Sequence, residues 1–170
     1  MLEVLSPAGS SDALVAAVQN GADAVYLGCG SFNARVNAKN FTLEQLHQWV
    51  SYCHIRGVKV YLTLNTLVLD RELKDVAREI LEASRAGVDA ILVQDLGVCQ
   101  LVRTLAPDVP IHASTQMAVY NLDGVLRAAE MGITRVVLAR ELSHDQIAYI
   151  CKHSPIEVEV FVHGALCMCY

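Results

Sequence analysis

The chain has 170 residues, 54% of them hydrophobic and 18% charged, and a formal net charge of -5. It is too apolar to be disordered and long enough for one packed core, and its acidic balance gives no general reason to expect a surface that binds nucleic-acid backbone. No run approaches the ~18 to 20 apolar residues of a membrane span, and the N-terminus lacks a basic segment followed by an apolar one, so the expected location is the cytoplasm.

Short runs rich in Val, Ile, Leu and Ala alternate along the chain with longer segments of helical period. Strands are expected near Glu3–Leu5, Ala24–Leu27, Lys59–Leu64, Ala90–Val93, Ile111–Ala113, Arg135–Ala139 and Glu157–Val162. Between them, apolar residues recur at helical spacing at Leu43, Leu46, Val50 and Cys53, at Leu73, Val76 and Ile80, at Val98, Leu101, Val102 and Leu105, and at Leu122, Val125, Leu126 and Ala129. Thr42 with Gln45 and Ser143 with Gln146 have capping-box spacing, and Asn121 stands where an N-cap is needed. A degenerate repeat places Gly21, Gly87 and Gly132 between a helix end and the next strand, and Gly57 does the same. Glycine there closes a helix in the left-handed conformation.

This alternation fits either a doubly wound sheet or a (β/α)8 barrel. Ser6-Pro7-Ala8-Gly9-Ser10 stands where a dinucleotide-binding fold would carry its glycine fingerprint, and the even spacing favours the barrel. The expectation is an α/β, TIM-like barrel that is incomplete, with about seven strands and six helices where a full barrel has eight of each. Residues 1–170 are then the N-terminal barrel portion of a longer protein, without its last βα unit. Exposed sheet edges in such a piece invite a homodimer.

Barrel enzymes build their sites at the C-terminal ends of the strands. The residues there are Ser6, the loop from Phe32 to Phe41 with Asn33, Arg35 and Lys39, then Asn65 and Thr66, Gln94 and Asp95, Ser114, Thr115 and Gln116, Arg140 and Glu141, and His163. Asp95 is equally suited to capping the helix that begins at Leu96. Ser114 and Thr115 are also ordinary turn residues, and Arg140 with Glu141 also reads as a solvated pair. His112, inside its strand, reads as a hydrogen-bonded core histidine. Convergence of amides, carboxylates and guanidinium groups on one rim favours a site. Arg35 and Lys39 among asparagines suit an anionic or amide-rich ligand.

Of the six cysteines, Cys29, Cys53, Cys99 and Cys151 are scattered singly and read as reduced core thiols. Cys167 and Cys169 flank Met168 after the last strand, where thiolates suit a soft metal or an iron–sulfur cluster, although two make only half a site. Cys167 as a nucleophile with His163 as its base is the competing chemistry.

Leu5-Ser6-Pro7-Ala8-Gly9, Phe32-Asn33-Ala34-Arg35, Val93-Gln94-Asp95, His112-Ala113-Ser114-Thr115-Gln116 and Glu159-Val160-Phe161-Val162-His163-Gly164-Ala165-Leu166-Cys167 together resemble the collagenase-like peptidase family U32 over the whole chain. The resemblance implies a TIM-like barrel followed by further segments, whose cysteines join Cys167 on a [4Fe–4S] cluster; the present chain alone would bind none. It implies one of two activities: an oxygen-independent hydroxylase acting on tRNA, rRNA or a quinone precursor, or a peptidase. The roles that follow are catalytic for His163, Asp95 and Arg140, and substrate-binding for Asn33, Arg35, Asn65, Gln94, Ser114, Gln116 and Glu141, with Cys167 as metal ligand. A non-catalytic module that binds RNA or a partner enzyme is a third reading, which a basic stripe would favour.

Overall fold

The structure, a computed structural model, describes residues 2–34 and 40–164; Arg35, Lys39, Cys167 and Cys169 lie outside the described residues. Seven strands, β1 (Leu5–Pro7), β2 (Ala24–Gly28), β3 (Lys59–Leu64), β4 (Ala90–Val93), β5 (Ile111–Ala113), β6 (Arg135–Val137) and β7 (Glu157–Glu159), pair in parallel and in chain order. Six α-helices connect them: α1 (Ser11–Gln19), α2 (Leu43–His54), α3 (Leu73–Ala86), α4 (Leu96–Leu105), α5 (Leu122–Glu130) and α6 (His144–His153). This is the expected incomplete TIM-like barrel. Among the described residues no helix is long and apolar enough to cross a membrane.

The helix starts follow the chemistry of their caps. Asn121 Oδ1 accepts from the Gly124 amide at 2.8 Å, and the Ser143 amide donates to Gln146 Oε1 at 2.8 Å while the Gln146 amide returns to Ser143 Oγ. Gly21, Gly57, Gly87 and Gly132 all take positive φ, between 72° and 86°, as the repeat required. At Gly87, the C-cap of α3, a side chain would be strained although there is room for it.

Strand alternation creates two cores. On β3, Val60, Leu62 and Leu64 face outward into the layer of helices, against residues such as Leu46 of α2 and Ile80 of α3. Tyr61 faces the other way and packs with Ala24, Ala90, Leu92 and Val137 in the lumen. Cys29, Cys53 and Cys99 are buried as expected, whereas Cys151 is exposed on α6. Its helix buries Ile150 and turns the adjacent position outward.

Several strand ends differ from the sequence reading: β1 covers Leu5–Pro7 rather than Glu3–Leu5, β2 runs on to Gly28, β6 stops at Val137 rather than Ala139, and β7 is also shorter. β1 begins at Leu5 rather than Glu3, because the Val4 amide is taken by Asp23 Oδ2 at 2.8 Å instead of by a ladder. Pro7, which has no amide to donate, is tolerated in a strand whose one paired neighbour is β2. β7 stops at Glu159 instead of reaching Val162, since the regular part of β6 stops at Val137; the Leu138 amide donates to Glu159 O at 2.9 Å and closes the ladder.

The sheet curls far enough for its two sides to meet through side chains. Arg135 on β6 reaches Glu3, just before β1, with Nη1 to Oε1 at 2.6 Å. Glu157 Oε2 holds the same guanidinium at 2.6 Å, and Glu159 Oε2 lies 3.4 Å from it. Glu3 also accepts from Lys59 at 2.9 Å and from the Tyr61 hydroxyl at 2.8 Å. Burial alone would raise the Glu3 carboxyl, but its bonds to Arg135, Lys59 and Tyr61 outweigh that and bring it down to about 2. The lumen is therefore floored by a compensated charge network.

Candidate functional site

Above this floor, at the C-terminal ends of the strands, lies a recess of about 120 Å³. Its polar wall comes from three different loops. Asn33 and Asn40 arrive from the β2–α2 connection, Asn65 from the end of β3, and Ser114, Thr115 and Gln116 from the turn after β5. Tyr26, Thr63 and Leu92 supply the deeper wall from inside the strands, while Glu159 and Phe161 complete it from β7 and the segment beyond.

Two of these side chains, Asn65 and Ser114, fix one another. Asn65 Oδ1 accepts from the Ala34 amide at 3.0 Å, and its Nδ2 donates to Ser114 Oγ at 3.1 Å, so one amide links the β2–α2 loop to the turn after β5. Ser114 Oγ also accepts from the Gln116 amide at 3.4 Å, opening the short 3-10 turn Thr115–Met117. Asn33 is buried and donates to Cys29 O and Gly30 O, folding the loop back over Gly28. A Cβ at Gly28 would stand 2.5 Å from Asn33 Cγ, so the close approach of that side chain depends on glycine. Gln116 Oε1 is buried with no hydrogen-bond partner, an acceptor on the wall with unspent capacity.

The recess thus gathers Asn33, Asn65, Ser114 and Gln116 of the residues expected to bind substrate. Gln94, Asp95, Arg140, Glu141 and His163 do not line it. Asp95 caps α4: its carboxylate accepts from the amides of Gly97 at 2.7 Å, Val98 at 3.1 Å and Val68 at 3.4 Å. Arg140 donates from Nη2 to Gly164 O at 3.0 Å and sets its guanidinium over the Phe161 ring at 5.0 Å, tying the β6 end to the segment after β7. Glu141 and His163 are exposed, and Gln94 is half-buried. Arg35 and Cys167 lie outside the described residues.

His112 is a buried core residue, but not a fully hydrogen-bonded one. Its Nδ1 has no partner, and its ring stands edge-on to Tyr61 with centroids 4.9 Å apart. Burial first, and then the positive charge of Arg135, push it down to about 3, so it stays neutral at physiological pH.

Sequence reasoning passed over Glu159 as a site residue. It sits inside an apolar run, which reads as strand interior and not as a residue delivered by a strand. The available signal was period two: Glu157 and Glu159 fall on one face of β7, and a carboxylate on the lumen face of a barrel strand points at the site or at its floor. Among the described residues no three His, Cys, Asp or Glu side chains converge to hold a metal ion.

The sequence pattern of peptidase family U32 matches residues 9–170. The 23S rRNA 5-hydroxycytidine C2501 synthase of Escherichia coli (strain K12) is 41% identical over 169 residues, which are 99% of this chain and 25% of that protein. A collagenase of Porphyromonas gingivalis (strain ATCC BAA-308 / W83) is 37% identical over 178 residues, covering 98% of this chain and 42% of the other. Among solved structures, a U32 peptidase superposes with a TM-score of 0.77 at 17% identity, over 94% of this chain and 68% of that one, a likeness of fold alone. The chain therefore spans between a quarter and about two-fifths of the length of these two curated relatives. The polar rim, the curled parallel sheet and the match along nearly the whole sequence lead to one placement: this chain belongs to peptidase family U32.

Proposed function

We propose that the full-length protein is an iron–sulfur-dependent, oxygen-independent hydroxylase that modifies a base in rRNA or tRNA, and that this chain supplies the pocket for the base. The observation that carries this reading is the recess: carboxamides and hydroxyls from separate loops surround a space edged by the rings of Tyr26 and Phe161. Enzymes that work on a base take it out of its stack, grip its polar edge with hydrogen bonds and hold its faces against aromatic or apolar groups. The similarity to an rRNA 5-hydroxycytidine synthase supports the same reading. RNA as substrate would place the protein in the cytoplasm.

The cluster would draw on Cys167, joined by cysteines of the longer chain, since Cys29, Cys53 and Cys99 are packed in the core and Cys151 sits on the outside of α6. The chemistry it would supply is electron transfer. This chain's own residues would seat the base, orient it and exclude water.

The test is a gene deletion followed by mass spectrometry of nucleosides from purified rRNA and tRNA. Loss of a species one oxygen heavier than its parent pyrimidine, restored by the wild-type gene and not by Asn65→Leu, is expected. Unchanged nucleosides would end the hydroxylase reading. The similarity to a collagenase keeps a peptidase as the second reading, with Cys167 as nucleophile and His163 as base. His163 is exposed and outside the recess wall, so this mechanism would operate at the rim. Peptidase activity of purified full-length protein that disappears in Cys167→Ser with iron content intact would establish it.

A further inference from the structure

Glu159 occupies two environments at once. Its side chain lines the recess, yet it also touches the charge network beneath, with Oε2 3.4 Å from Arg135 Nη1. The guanidinium spends its short bonds elsewhere, on Glu3 at 2.6 Å and on Glu157 at 2.6 Å through Nη2 and 2.8 Å through Nε. Glu159 receives the long third contact. A carboxylate only 18% exposed has left most of its water behind, and one 3.4 Å contact replaces little of it. Burial accordingly raises this carboxyl above its ordinary value, with Arg135 pulling the other way. Among the described residues it meets no hydrogen-bond donor on the recess side.

Resting on the reading of the recess as a base pocket, we propose that Glu159 accepts a hydrogen bond from the N–H edge of a pyrimidine, with Arg135 as its positioning residue and Gln116 Oε1 as a second acceptor on the wall. The ligand chemistry is the donor common to both pyrimidines: the ring N3–H of uracil or the exocyclic amino group of cytosine. Both protein atoms are acceptors, and Gln116 Oε1 is buried without a partner. A ligand that brought only acceptors would face two unpaired oxygens. Arg135 fixes the carboxylate by charge from below, and Glu3 and Glu157 in turn fix Arg135, so Glu159 can be removed without stranding the guanidinium.

The experiment measures binding of short single-stranded RNAs to the full-length protein by fluorescence anisotropy. Each RNA carries one uridine or one cytidine, or the same base blocked as 3-methyluridine or N4,N4-dimethylcytidine. A lost charge-assisted hydrogen bond corresponds to about tenfold to a hundredfold in affinity, and that is the expected penalty of methylation in the wild type. Glu159→Met should bind the unmodified RNA more weakly by the same factor and should be nearly indifferent to methylation. Glu159→Gln keeps an acceptor oxygen without the charge, so it should fall between the two; it also serves as the measurement if the methionine variant does not fold. A methylation penalty in either variant as large as in the wild type, or unmodified RNA bound as tightly by Glu159→Met as by wild type, overturns the assignment of Glu159 while leaving the base pocket standing. Failure of every RNA to bind the wild-type protein overturns both.

Discussion

Replacing Arg135 with methionine should be among the most damaging single changes in this chain, for reasons that can be followed contact by contact. The guanidinium is 9% exposed and faces Glu3 and Glu159, which are 21% and 18% exposed, while Glu157 is 67% exposed and can return to water. Methionine fills much of the volume, so the cavity cost is small; the loss is two largely buried carboxylates deprived of their cation. Removing one partner of a buried pair costs about 3 to 5 kcal/mol. The lower end is expected here, because Lys59 and the Tyr61 hydroxyl still hold Glu3 and because Glu159 can take up a proton, and loss of the guanidinium over the Tyr61 ring at 5.3 Å adds about 0.5 to 1 kcal/mol. A total near 3 to 4 kcal/mol should lower the urea midpoint by about 1.5 to 2 M, taking a slope of about 2 kcal/mol/M. The pH dependence has a definite sign. Glu3 is depressed to about 2 from an ordinary 4.5, so its contribution is complete above the unfolded value and is lost as pH falls from there towards 2; wild type and variant should converge in that window. In a Glu159→Gln background the same arginine substitution should cost less, by about 0.5 to 3 kcal/mol. A loss below about 1 kcal/mol, or one independent of Glu159, would show that the network is a solvated surface cluster and not a structural floor.

Glu79 on α3 is buried with Oε1 unpartnered, and burial, opposed only weakly by Arg78, pushes its carboxyl up to about 8. A carboxyl raised above its unfolded value of 4.5 stabilises fully below that value and loses its effect as pH rises towards 8, so wild-type stability should decline across this window by up to about 1.4 kcal/mol per pH unit while Glu79→Gln stays nearly flat; parallel urea titrations of the two at pH 5 and pH 8 decide it, and equal slopes would refute it. Gly28→Ala should force Asn33 off its bonds to Cys29 O and Gly30 O, weakening RNA binding at least severalfold with little change in the far-ultraviolet circular dichroism; unaltered affinity would remove Asn33 from the pocket wall. Cys167→Ser in full-length protein purified without oxygen should lower iron and sulfide content, whereas Cys151→Ser should leave both unchanged; equal metal content in both variants would argue against Cys167 as a ligand.

The fold was legible because it is local and repetitive. Helices of about two and a half to four turns meet the strands through a glycine or a cap, and parallel strands buried on both faces carry the continuous Val, Ile and Leu runs that expose them. The strand ends were less legible, since where a ladder stops depends on the neighbouring strand: Val160 to Val162 have strand composition, but β6 offers them no regular partner beyond Val137. The site was legible in outline only. Knowing that strand ends build sites brought Asn33, Asn65, Ser114 and Gln116 to the same rim, but it treated every polar residue there alike. Asp95 shows the cost, because the position after a strand is also the position before a helix, and three amides claim its carboxylate.

The residues missed were missed for a shared reason. Arg135, Glu157 and Glu159 stand inside strands, where period two sends them into the lumen, and no rule about loops finds them. Their charges largely offset one another, one arginine against two glutamates, so the net balance of the chain does not single them out. What they accomplish depends on the curl of the sheet, which brings Glu3 within reach of a residue 132 positions away. A flat sheet of the same sequence would leave Glu3 and Arg135 on opposite margins, each needing water. The curl turns them into a salt bridge across the floor of an open barrel, and among the described residues Glu159 is the member of that network with a face on the recess. The electrostatics that hold the lumen together and the acceptor offered to a ligand are therefore one structure, and a change at Arg135 should be felt in both stability and binding.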